Sequence, residues 1–93
     1  MSAPASSGRM NNSPYTLERK ALAALLKDIR VSAGLTQIEL AERSGWAQTD
    51  ISKFERAARQ LDFFQLRDLL KVMGTDIASV DMELTQRLQR EAK

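Results

Sequence analysis

Apolar residues recur along this chain at helical spacing, and no stretch alternates as a strand would. Leu22, Leu25, Leu26, Ile29 and Ala33 fall at offsets of three, four, seven and eleven, which predicts the buried face of a first helix. Ser13 as N-cap and Pro14 at the first helical position set its start, because proline's missing N–H is not needed there. Gly34 ends it. Thr36 and Glu39 have the spacing of a capping box, which opens a second helix that buries Leu40 and Ala41 and ends near Ser44. Gly45 suits the left-handed exit that a tight turn requires. A third helix, Gln48 to Arg56, buries Ile51 and Phe54, and a loop follows to Leu61. Asp62 with Gln65 makes a second capping box, before a stripe of Phe63, Leu66, Leu69, Leu70 and Met73 that stops at Gly74. The pattern predicts a fifth helix from Ile77 to about Arg90, with Val80, Leu84 and Leu88 on one side.

The fold class expected is all-α, a compact five-helix domain. Residues 1–12 hold almost nothing to bury and are expected to form a disordered tail. Residues 13–76 form the domain proper and 77–93 a C-terminal helix. At 93 residues, 43% apolar and 28% charged, the chain has material for one domain. It contains neither cysteine nor histidine, which removes disulfides, thiolate nucleophiles, Cys/His zinc sites and imidazole bases. The carboxylates show no cation-binding spacing, so no metal, cofactor or enzymatic activity is expected. With no apolar run of membrane-spanning length and no secretory leader pattern, the protein is expected in the cytoplasm and away from membranes. Its net charge of +2 permits nucleic-acid binding without suggesting it.

The stretch GLTQIELAERSGWAQTDISKFER, Gly34 to Arg56, carries the functional signal. Two short helices joined through a glycine turn project the second so that its outer face can enter a DNA major groove. Ala41 leaves room where the helices cross, Gly45 reverses the backbone, and Ile51 points inward beneath the exposed face. With the LD and apolar stripe ending in MG, residues 17–76 resemble the Xre family of helix-turn-helix DNA-binding proteins, the group of the phage Cro and lambda-type repressors. The resemblance rests on Gly34, Leu35, Thr36, Gln37, Glu39, Leu40, Ala41, Gly45, Ile51, Ser52, Glu55 and Arg56 in order and spacing.

The resemblance implies a lambda-repressor-like domain whose third helix reads base edges through Gln48, Thr49 and Lys53. Their chemistry suits adenine, the thymine methyl and guanine respectively. It also implies phosphate contacts from Thr36, Gln37, Ser52, Arg56 and Arg59, and a structural ion pair of Arg30 with Glu55.

Three positions depart from the family pattern. Trp46 is large and is expected to fill the core beside the turn, and Ala47 removes a side-chain cap from the reading helix. Asp50 places a carboxylate where the phosphates approach. From Thr36 to Asp62 the cations Arg43, Lys53, Arg56 and Arg59 face the anions Glu39, Glu42, Asp50, Glu55 and Asp62, so affinity would depend on pairing of two chains. The expected assembly is a homodimer, joined through Ile77, Val80, Leu84 and Leu88, acting as a transcriptional repressor on an inverted-repeat operator in double-stranded DNA. The competing expectation is an antitoxin-like or protein-interaction module with weak DNA binding, docking a toxin or other protein partner.

Overall fold

The computed structural model describes residues 14–91, so the expectations for residues 1–12 and for Ser13 lie outside the described residues. Five helices follow in order: α1 (Pro14–Ser32), α2 (Gln37–Ser44), α3 (Gln48–Glu55), α4 (Phe63–Val72) and α5 (Ile77–Glu91). No strand occurs among the described residues. The all-α, five-helix expectation holds, with boundaries within a residue or so of those read from the sequence.

Local chemistry explains the boundaries. Thr36 and Asp62 each accept from the N–H three residues on, and Glu39 and Gln65 reach back to the cap backbone, completing both capping boxes. Asp76 caps α5 by accepting from the Ser79 N–H at 2.8 Å, and this bond holds its carboxyl below the usual carboxylate range. At the other ends, α1 and α4 stop on a bond pair in which the chain wraps back through a left-handed glycine. Gly34 N–H donates to Val31 and Leu35 N–H to Arg30; Gly74 N–H donates to Lys71 and Thr75 N–H to Leu70. The same wrap closes α3, with Ala57 N–H on Phe54 and Ala58 N–H on Lys53, but the left-handed residue there is Ala57, at φ 61°.

The core is one cluster drawn from every helix: Leu25 and Leu26 of α1, Leu40 and Ala41 of α2, Ile51 and Phe54 of α3, Leu69 and Leu70 of α4, Val80 of α5, with Leu35 and Met73. α2 packs on α3 and α4, while α1 packs on α3 and α5. The two helices of the turn are therefore held from both sides. No helix among the described residues is long and apolar enough to cross a membrane.

Three expectations from periodicity are corrected. Ala33 is exposed, because α1 ends at Ser32 and the residue turns away with the loop. Phe63 is 54% exposed; it stands in the first turn of α4, where its ring packs edge-on against Phe64 instead of the core. Val80, assigned to a second copy, is buried in the chain's own core at 5% exposure, and Ile77 and Leu84 pack against that core beside it. The apolar face of α5 closes its own bundle; Leu88, half-buried, lies beyond it.

Candidate nucleic-acid interface

The turn between α2 and α3 has the geometry the sequence requires. Gly45 caps α2 at φ 81° and donates its N–H to Ala41, after which Ala47 opens α3 in extended conformation. Leu40 and Ile51 are fully buried, so each helix is fixed on its inner face. Side chains step around α3 by about 100° per residue, which puts Thr49 and Lys53 opposite Ile51 and Phe54 and leaves Gln48 and Asp50 on the flanks. Gln48, Thr49 and Lys53 are all exposed. Among the described residues no side-chain hydrogen bond or ion pair engages Thr49 or Lys53.

The Gln48 flank is bonded back to the interior. Arg30 donates through Nε to Glu55 Oε2 at 2.6 Å, through Nη2 to Oε1 at 3.1 Å and through Nη1 to the Leu35 carbonyl at 2.8 Å. The two side chains are 9% and 3% exposed. Glu55 Oε1 also accepts from Gln37 Nε2 at 3.0 Å, and Gln37 Oε1 accepts from Gln48 Nε2 at 2.7 Å. A bidentate ion pair linking α1 to α3 is thus continued through Gln37 of α2 to the exposed amide of Gln48. Each donor has one acceptor in fixed order, so the carboxylate sets the amide orientation of Gln37, and Gln37 that of Gln48.

Around this face lie the expected phosphate contacts. Thr36 Oγ1 accepts from Glu39 N–H and its own N–H goes to Glu39, so its hydroxyl proton is what remains for an anion. The N–H groups of Gln37 and Ile38, in the first turn of α2, have no helical acceptor by geometry. Ser52 is half-buried and Arg56 exposed, and the Arg56 Nε donates to Ser52 Oγ at 3.4 Å. Arg59 is placed differently. Its Nη1 meets Asp50 Oδ1 at 2.9 Å and its guanidinium lies over the Trp46 ring, 4.8 Å from the centroid. Trp46 packs against the core as expected, edge-on to Phe54 at 6.1 Å. The start of α3 has no side-chain cap, so neither Thr49 nor Asp50 replaces the one missing at Ala47.

The pairing of Asp50 with Arg59 and the Gln37–Gln48 bond were not read from the sequence. Both join residues across a turn, where periodicity carries no information. A carboxylate followed across the loop by an arginine was the available signal for the first. Among the described residues no group of acidic side chains is arranged to hold a metal ion.

A model of a helix-turn-helix domain family matches residues 21–82, more than half of the chain. An Xre-family-like protein from Pseudomonas syringae pv. tomato str. DC3000 is 33% identical, with a TM-score of 0.73 and a match covering 88% of this chain and 96% of that one. The clp gene regulator ClgR from Corynebacterium glutamicum is 29% identical, with a TM-score of 0.74 over 81% of this chain and 80% of its own. The restriction-modification controller protein C.Esp1396I, solved as a tetramer with its natural 35-base-pair operator, is 26% identical, with a TM-score of 0.72 over 77% of this chain and 95% of its own. No curated protein matches this sequence. With the turn, the buried inner faces and the exposed third helix in place, the chain belongs to the Xre family of helix-turn-helix DNA-binding proteins.

Proposed function

We propose that the protein regulates transcription by inserting α3 into the major groove of a specific duplex sequence, with Gln48, Thr49 and Lys53 reading bases. The observation that carries this is the division of α3: Ile51 and Phe54 are buried at 0% and 2% exposure, while the three readers stand exposed on the remaining surface. Thr36, Ser52, Arg56 and the backbone N–H of Gln37, whose side-chain amide is taken up by Glu55 and Gln48, surround that surface and contact phosphate, setting the register without reading sequence. Gln48 presents its amide in the orientation Gln37 imposes, leaving its oxygen to accept from adenine N6.

One domain supplies few base contacts, each worth about 1–3 kcal/mol of discrimination, so a second copy is needed to select an operator. ClgR and the controller protein, both regulators and the latter a tetramer on its operator, support that reading. The chain acts as a homodimer on an inverted repeat, the two α3 helices about 34 Å apart, and represses by occupying a promoter. Pairing draws on surface outside the core, Leu88 included, because Val80 is already used within the subunit. Of the two grounds for expecting weak DNA binding, Asp50 and the acidic helices, the first is offset by the pairing of Asp50 with Arg59.

Selection of bound duplexes from a random pool, followed by fluorescence anisotropy at two salt concentrations, tests the proposal. Gln48→Ala is expected to change the preferred sequence. Arg56→Ala is expected to weaken all sequences alike and to lower the salt slope by about one. Affinity that ignores both salt and sequence would sink it.

A further inference from the structure

Asp50 is the one acidic side chain on the exposed rim of α3, and its surroundings are built. It occupies the first turn of the helix, where a carboxylate suits the positive end of the dipole. As DNA approaches, the same charge meets the phosphate field. Its partner Arg59 comes from the loop beyond α3 and is fixed from two directions, by the Oδ1 contact at 2.9 Å and by the Trp46 face at 4.8 Å. Trp46 is seated in turn against Phe54, which is 2% exposed. A column of Phe54, Trp46, Arg59 and Asp50 therefore runs from the core to the edge of the reading face. A planar guanidinium stacked on a ring is preorganised, unlike a flexible surface clamp.

We infer that Arg59 serves DNA binding through Asp50. It is a positioning residue that neutralises the carboxylate and holds it at the rim of α3, and it does not clamp phosphate. The inference rests on the reading that α3 enters the groove. It assigns Arg59 a role opposite in logic to that of Arg56: the arginine matters because an acid must be masked, so its importance disappears with the acid.

A double-mutant cycle on the full chain tests this, measured as duplex binding by anisotropy at several salt concentrations. Arg59→Ala is expected to weaken binding about tenfold, the scale of one unscreened like-charge contact near the surface. Asp50→Asn is expected to tighten it about twofold, with one carboxylate fewer facing phosphate. The double variant should match Asp50→Asn in affinity and in salt slope. Arg59→Lys, which keeps the charge and loses the planar stack, should fall between wild type and Arg59→Ala. An Arg59→Ala penalty of equal size in both backgrounds, with the salt slope lowered by about one, would make Arg59 a phosphate clamp and overturn the inference. Strong loss of binding in Asp50→Asn would do the same by making Asp50 a base reader.

Trp46, the sole tryptophan, reports on the column in the protein without DNA. Its emission should change in Arg59→Ala while the melting curve stays cooperative, and an unchanged spectrum would refute the stack. If the wild type bound no duplex, the groove reading would fail and take the inference with it. A clean cycle with full additivity removes the inference alone.

Discussion

The two flanks of α3 are braced by the same chemistry at different depths. On one side Arg30 and Glu55 are 9% and 3% exposed, with every oxygen of the carboxylate bonded. On the other, Arg59 and Asp50 are 34% and 36% exposed and share one short contact. Depth changes what each pair does. A buried pair contributes little net stability when intact, but removing one member strands a charge away from water, at about 3–5 kcal/mol. A half-exposed pair loses little when broken, about 0–1 kcal/mol, because water solvates what is left. The first pair fixes where α3 lies relative to α1; the second adjusts the charge that α3 presents. A stability screen would detect only the first, and a binding screen would detect both.

The largest expected effect follows from the buried side. Glu55→Ala leaves Arg30 without its acceptor and should destabilise the domain by about 3 kcal/mol or more, lowering the melting temperature by about 10 °C or more. Calorimetry or thermal circular dichroism measures it. The paired replacement Arg30→Met with Glu55→Leu should recover most of that stability, since no buried charge remains. A loss below about 1 kcal/mol in Glu55→Ala would mean that both flanks behave as surface pairs, and the contrast would vanish.

Next in size is Gln37→Ala, which cuts the buried carboxylate off from Gln48. Stability should fall by about 1 kcal/mol, the typical net value of a hydrogen bond. Discrimination at the base that we propose Gln48 reads should fall by about tenfold, because its amide is no longer held in one orientation. Anisotropy with duplexes substituted at that single base pair gives the number. If all base substitutions became equally tolerated, Gln37 would be acting on docking as a whole rather than on its neighbour.

Much of this architecture was legible in the sequence because it is written in local chemistry. Leu25, Leu26, Leu40, Ile51, Phe54, Leu69 and Leu70 were read from spacing, and Thr36, Asp62, Gly34, Gly45 and Gly74 from the requirements of helix ends. The misreadings share a cause. Periodicity identifies an apolar face without saying what covers it. It therefore extends one stripe to Ala33, puts Phe63 in a core that its ring does not enter, packed instead on Phe64, and sends Val80 to a second copy although the chain's own core already encloses it. Asp50 looked like a defect for a related reason. Its charge was visible at position 50, whereas the arginine that answers it arrives only after the chain has left α3 and turned back.

That return passes through Ala57, and the smallest expected effect concerns it. The exits of α1 and α4 place glycine at the left-handed position, and the exit of α3 makes the same pair of bonds with an alanine at φ 61°. A Cβ in that conformation costs about 1–2 kcal/mol, while glycine gives back about 0.4–1 kcal/mol through greater freedom of the unfolded chain. Ala57→Gly should therefore stabilise the domain by about 0.5 kcal/mol, a rise of about 2–4 °C in a thermal melt. DNA affinity should stay close to that of the wild type, because the column through Trp46 holds Arg59 independently of the strain at Ala57. A lower melting temperature would instead mean that the Ala57 methyl, half-buried, packs well enough to outweigh its backbone conformation. A rise in stability joined to a loss of binding would show that the exposed flank depends on a stiff exit from α3 as well as on its ion pair, narrowing the difference between the two sides.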